Sequence, residues 1–163
     1  MSKKYDLVIV GAGPAGLMAA RVAGENGLST ALLERRKSIT STKRVDGGGL
    51  SPINEYICGE QLTFNPKAKR IGFPISGFSI PYDGPYRDMY GFRIFSPSGK
   101  LISFGDHEKL QKDPEKNRKG YAIDKEAMLR GMLEDVEKTG VEIFPNTNVT
   151  AIETGEGSAT VTG

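Results

Sequence analysis

The chain is 163 residues long, about one domain, and can bury a core. Its net charge of +2 gives no field that favours a polyanion, so nucleic acid is not an expected partner. A single cysteine excludes an internal disulfide framework and a four-cysteine iron–sulfur cluster, and no apolar run nears the roughly 20 residues of a membrane span.

In chain order, Leu7-Val8-Ile9-Val10 is an apolar, β-branched run with the character of a parallel strand buried on both faces. Gly11-Ala12-Gly13-Pro14-Ala15-Gly16 follows at once. Leu17 to Asn26 reads as a helix with Leu17, Ala20, Val22 and Ala23 on its apolar face, and Gly27 is its stop. Thr30 to Leu33 is a second strand, closed by Glu34. A polar, Gly-rich stretch from Arg35 to Gly49 precedes Ser51 to Gly59, where a short helix is expected. Between Ile71 and Gly105, short alternating runs separated by Tyr82-Asp83-Gly84-Pro85 and Ser96-Pro97-Ser98-Gly99 predict antiparallel strands. Tyr90 to Phe95 with Leu101 to Phe104 is the clearest hairpin.

Asp106 to Lys119 mixes charges with little apolar content and reads as a charged loop or a frayed helix. Asp124 is an expected N-cap for a helix whose apolar face is Met128, Leu129, Met132, Leu133 and Val136 and which ends at Gly140. Val141 to Phe144 is a third strand. Asn148 to Ile152 and Ala159 to Thr162 form a hairpin around Gly155-Glu156-Gly157.

The first of these segments carries the chemistry. A pyrophosphate must come close to backbone N–H groups. Gly11 allows the tight turn out of the strand, Gly13 lets the backbone meet the phosphates, and Gly16 lets the helix pack against the strand. Pro14 costs nothing in the first helical turn, where its missing N–H has no intrahelical partner anyway. The helix N-terminus, at Ala15 and Gly16, offers unpaired donors and a partial positive charge. Glu34 stands at the end of the second strand, where a carboxylate can accept both ribose hydroxyls. Strand, glycine turn, helix and acid at this spacing predict dinucleotide binding.

Val10 to Gly16 near the N-terminus, with Leu33-Glu34-Arg35, resembles the flavoprotein family that includes p-hydroxybenzoate hydroxylase. Lys43-Arg44-Val45-Asp46-Gly47-Gly48-Gly49-Leu50-Ser51-Pro52 is similar to the Gly-rich loop of the geranylgeranyl reductase and FixC-type dehydrogenase branch. Many chlorophyll-pathway reductases carry a cysteine in that loop. Here Asp46 or Gly47 takes its place, so no role of that cysteine carries over. Asp124 sits where the family opens a helix, with Leu129 in place of the family's acid. Thr147-Asn148-Val149 resembles the strand whose backbone at the valine contacts adenine.

The resemblance implies FAD as cofactor, held by Gly11, Gly13, Pro14, Ala15, Gly16, Glu34, Arg35, Arg44, Gly48, Gly49 and Val149. It implies a flavin-dependent oxidoreductase acting on a small apolar, isoprenoid-like substrate, with NAD(P)H or a redox protein as electron donor. Two rival readings stay open: a flavin-dependent monooxygenase, and a non-catalytic dinucleotide-binding fragment. The expected fold is α/β, a Rossmann-like FAD-binding βαβ with a parallel sheet plus an inserted antiparallel β segment. Residues 1–50 and 120–163 are assigned to the FAD-binding domain, 60–106 to the antiparallel segment that starts a substrate domain, and 106–119 to the charged loop. The family's later Gly-Asp-Ala-type motif has no convincing counterpart, since Gly105-Asp106-His107 reads as a turn. The expectation is therefore the N-terminal part of a protein of about 350 to 450 residues, with an incomplete fold.

The remaining candidates are weak. Cys58 has no cysteine partner and is expected to be a buried structural thiol. His107 is expected to be solvated, and no metal-ligand spacing is present. Phe73, Phe78, Tyr82, Tyr86, Tyr90 and Phe92 fit either an apolar substrate pocket or the core of the hairpin sheet. No catalytic residue is assigned. Met1 to Asp6 lacks the apolar core of a secretory signal, so the expected location is cytoplasmic, with room for peripheral contact with a membrane.

Overall fold

The computed structural model describes residues 3–42, 48–53, 55–105 and 112–163. Its elements begin with β1 (Leu7–Val10), α1 (Pro14–Glu25), β2 (Thr30–Leu33), β3 (Gly49–Leu50), β4 (Tyr56–Ile57) and β5 (Glu60–Gln61). There follow β6 (Thr63–Asn65), β7 (Arg70–Phe73), β8 (Phe78–Pro81), β9 (Tyr86–Met89), β10 (Phe92–Phe95) and β11 (Leu101–Phe104). The chain closes with α2 (Pro114–Asn117), β12 (Gly120–Ile123), α3 (Lys125–Glu137), β13 (Glu142–Phe144), β14 (Ala151–Gly155) and β15 (Ser158–Thr162). Two units result: Met1–Lys43 with Leu129–Gly163, and Arg44–Met128.

In the first unit, β1, β2 and β13 form a parallel sheet with β2 in the middle. A strand flanked on both edges and covered above must be apolar, and Ala31 and Leu32 are 1% and 0% exposed. Helix α1 buries Leu17, Ala20 and Ala23 as expected, but Val22, expected on the same face, is 50% exposed because it lies one residue off the i, i+3 stripe. The helix begins three residues earlier than its apolar pattern suggests. Pro14 at its start already has the φ a helix needs, and Gly13 serves as N-cap. Arg21 on α1 pairs with Asp135 on α3 at 3.1 Å, both side chains largely buried.

One expectation fails in this sheet. β1 is not buried on both faces, and Val10 is 51% exposed. Ile9 points toward Gly16 of α1, while the opposite face of the sheet opens on a cleft of about 950 Å³ lined by Val8, Val10, Leu33, Phe144, Val149 and Ile152. The β14–β15 hairpin turns at Glu156-Gly157, near the predicted place. Its first strand begins at Ala151 rather than Asn148, so Val149 lies on the connection that precedes it.

The second unit is antiparallel throughout. β9 and β3 flank β12, β6-β7-β8 is a meander, and β10 pairs with β11 from Phe92↔Phe104 to Phe95↔Leu101, close to the predicted hairpin. No short helix forms among the described residues of Ser51 to Gly59. Tyr56-Ile57 pairs instead with Glu60-Gln61 across Cys58-Gly59. Both turn residues are left-handed, with φ of 52° and 79°, as a tight two-residue hairpin turn demands. Cys58 is consequently exposed at a turn, not a buried thiol. Of the charged stretch, residues 106–111, with His107, lie outside the described residues. The rest contains the single-turn α2, capped by Asp113.

Part of this unit's aromatic set clusters around Phe64, whose ring meets those of Tyr82, Tyr86 and Tyr121 edge-on at 5.7, 5.2 and 4.8 Å, whereas Phe92 is exposed on its hairpin. Phe73 and Phe78 stack across β7–β8 at 4.5 Å. Tyr82, 2% exposed, accepts a hydrogen bond from the Asp124 N–H at 2.8 Å, and Asp124 caps α3 by accepting from the Ala127 N–H at 2.7 Å. Tyr82→Phe leaves that amide without its acceptor, and a loss of about 1 kcal/mol in chemical denaturation is expected. An unchanged midpoint would mean that water replaces the phenol.

Candidate dinucleotide site

The site is built where β1 gives way to α1. The Gly11 N–H donates to Leu33 O at 2.7 Å, which holds the end of β1 against β2, and Gly11 then turns with φ of +101°. L side chains rarely adopt that conformation. Gly16 is required for a different reason. A Cβ there would sit 1.9 Å from the Gly11 carbonyl oxygen and 3.5 Å from Ile9 Cγ2.

Gly13 is different again. Its φ of −78° is ordinary, and nothing lies within 4 Å of where its Cβ would be. Neither backbone nor packing in the chain explains a glycine there. The open space lies at the N-terminus of α1, where no side chain caps the helix and no acid stands in the first turn. A free helix start with its positive partial charge and room for close approach is the environment an anion needs.

Glu34 closes the other side of the turn. Its side chain is 6% exposed, and Oε2 accepts from the Ala12 N–H at 2.8 Å. Oε1 accepts from the Arg36 N–H and Nε at 2.9 and 3.0 Å, and Arg36 Nη2 reaches Oε2 at 3.3 Å. Burial alone raises the carboxyl pKa, but the bonds from Arg36 and Ala12 outweigh it and hold the group at about 2. The strand end is pinned from β13 as well: the Glu34 N–H donates to Phe144 O at 3.0 Å, and Glu34 O accepts from the Thr147 N–H at 2.9 Å.

A depressed carboxyl stabilises the fold above its unfolded value, near 4.5, and that contribution is lost as pH falls toward about 2. As much as about 3 kcal/mol is at stake in this window. Denaturation curves measured against pH should therefore fall more steeply there for the parent chain than for Glu34→Gln. Equal slopes would mean that the carboxylate is not held this way.

Gly11, Gly13, Pro14, Ala15, Gly16 and Glu34 thus come together in the first unit. Arg35 is exposed beside them, and it is Arg36, not singled out in the sequence, that engages Glu34. The alternation of a strand end gave the signal, because residues i and i+2 share a face. Val149 is half-buried and lines the cleft already described. Gly48 and Gly49 lie in the second unit. A Cβ on Gly48 would come within 2.6 Å of Ile123 O, so this glycine has a packing reason of its own. Arg44 lies outside the described residues.

Residues 4–52 match the family model described as FAD binding domain. Digeranylgeranylglycerophospholipid reductase of Methanoculleus marisnigri is 29% identical over 152 residues, 93% of this chain and 31% of the relative. The enzyme of the same name from Methanocella arvoryzae is 29% identical over 96% of this chain and 34% of its own length. The chain therefore spans about a third of these relatives. Among solved structures, a geranylgeranyl bacteriochlorophyll reductase-like protein from Thermoplasma acidophilum superposes with a TM-score of 0.60 at 23% identity. That match covers 95% of this chain and 33% of the other. The p-nitrophenol 4-monooxygenase of Pseudomonas putida superposes with 0.58 at 19% identity, over 99% of this chain and 36% of the other. Both likenesses establish the α/β fold.

The residues around the FAD-binding segment's first turn fit the cofactor. The space at Gly13 has the place and polarity for a pyrophosphate, and Glu34 is an ionised acceptor at the strand end. No helix among the described residues is long and apolar enough to cross a membrane.

Proposed function

We propose that the chain forms the ADP-binding portion of a flavin-dependent oxidoreductase that reduces double bonds in an apolar, isoprenoid substrate. The observation that carries this is the space at Gly13, which nothing within the chain requires, facing a helix start with an ionised acid beside it. The N–H groups of Ala15 and Gly16 would bind the pyrophosphate, and Glu34 the adenosine ribose. Arg35 and Arg44 would balance phosphate charge, the Val149 backbone would meet adenine, and Gly48-Gly49 would belong to the loop that flanks the cofactor. When bound, FAD relays electron pairs from a donor, NAD(P)H or a redox protein, to the substrate. The protein's part is to bind, to orient and to exclude water.

On this reading the 1–50 and 120–163 segments are the cofactor domain, 60–106 begins a substrate domain, and 106–119 is a charged connection. The reductase reading over hydroxylation is supported by the digeranylgeranylglycerophospholipid reductases, which match across most of this chain. Such a protein would work in the cytoplasm, with peripheral contact with a membrane to reach a lipid substrate.

The test uses the longer protein, with its flavin reduced in the absence of oxygen and then mixed with a geranylgeranyl glycerolipid. Flavin reoxidation with loss of double bonds is the expected result. Reoxidation by oxygen alone, with a hydroxylated product, would overturn the proposal in favour of a monooxygenase.

A further inference from the structure

We propose that the Arg36 guanidinium occupies the ribose-diol seat on Glu34 in the ligand-free chain, and that a dinucleotide binds by displacing it. This rests on the dinucleotide reading above. A carboxylate offers about four lone-pair sites. Four donors already reach Glu34: the Ala12 N–H and Arg36 Nη2 on Oε2, and the Arg36 N–H and Nε on Oε1. The set is full, so a ribose can bond to Glu34 only when a present donor leaves.

The four donors are not equally replaceable. Ala12 is fully buried in the glycine turn, and its N–H is fixed there. The Arg36 backbone is tied down by the Asn146 N–H, which donates to Arg36 O at 3.0 Å. The other two donors belong to one guanidinium, whose side chain is 34% exposed and whose remaining bond is to Ser41 O at 2.9 Å. A ribose diol brings two O–H donors, the number the guanidinium supplies, with one seat on each carboxylate oxygen. The guanidinium end of the pair is 34% exposed, and two ribose hydroxyls would replace the two bonds it gives up, so the exchange leaves neither buried carboxylate oxygen short of a donor. Its cost lowers the apparent affinity by the fraction of chains with the seat open. Arg36 is thus a positioning residue, keeping Glu34 ionised and aimed while the site is empty.

The test is calorimetry of the full chain and of Arg36→Met with ADP and with 2′,3′-dideoxy-ADP. Methionine keeps the length of the stem and removes every donor. Loss of a positive charge affects both nucleotides alike, so the decisive quantity is the ratio of their dissociation constants. Opening the seat should widen the preference for ADP by about five- to tenfold relative to the parent chain. An unchanged or narrowed ratio overturns the displacement model while leaving the dinucleotide reading intact. A parent chain and variant that bind neither nucleotide would overturn that reading, and this inference with it.

Discussion

Gly16→Ala is expected to disrupt the N-terminal βαβ unit through a single methyl group. The added Cβ would lie 1.9 Å from Gly11 O and 3.1 Å from Gly11 C, both backbone atoms. A flexible side chain could swing aside, but these atoms cannot. Gly11 is tied to β2 through its N–H to Leu33 O and already has a φ of +101°. Relief requires α1 to back away from β1, which uncovers Leu17 and Ala20 beneath it. A destabilisation of about 3 kcal/mol or more should follow, at the upper end of overpacking costs. Circular dichroism in a urea series would measure it. A midpoint equal to that of the parent chain would show that the helix is not held this close to the strand.

Gly13→Val should give the opposite pattern. Valine can adopt a φ of −78°, and no atom lies within 4 Å of its Cβ, so the fold should lose only about 1 kcal/mol, the cost of a poor helix cap. ADP affinity should fall about a hundredfold, close to 3 kcal/mol, because the side chain fills the space reserved for phosphate oxygens. Calorimetry with ADP beside a thermal melt separates the two effects. Equal affinity for ADP in variant and parent would sink the pyrophosphate assignment. Glycines three positions apart are thus required for different reasons, one by the chain and one by its ligand.

Much of this site was legible from residues 7 to 34. The strand, turn, helix and second strand are local in sequence, and each boundary has its own signal: β-branched residues, Gly11, Pro14, Gly27 and Glu34. What escaped prediction depends on contacts distant in the chain or on turn chemistry. The half-open face of β1 could not be read from an apolar run, because the run is the same whether one face or both are covered. Tyr56 to Gln61 escaped because a two-residue turn through Cys58-Gly59 needs a left-handed cysteine, which composition does not advertise. The aromatic core centred on Phe64 joins β6 to Tyr82, Tyr86 and Tyr121, and only the folded unit brings these together. Arg36 was within reach of the alternation rule, but its neighbour Arg35 carried the family resemblance.

The central place of β2 also has a consequence for biosynthesis. One of its edges is satisfied early by β1, but the other waits for β13, whose Phe144 accepts from the Glu34 N–H. All of Arg44–Met128 is translated in between. At bacterial-to-eukaryotic elongation rates of about 5 to 20 residues per second, an apolar strand waits roughly 5 to 20 seconds with one edge unpaired. During that interval the nascent chain offers a template to any extended segment nearby, including those of neighbouring ribosomes on the same message. Slowing translation across the intervening stretch should therefore raise the insoluble fraction, and a trigger-factor-like holdase bound to the emerging β2 should lower it.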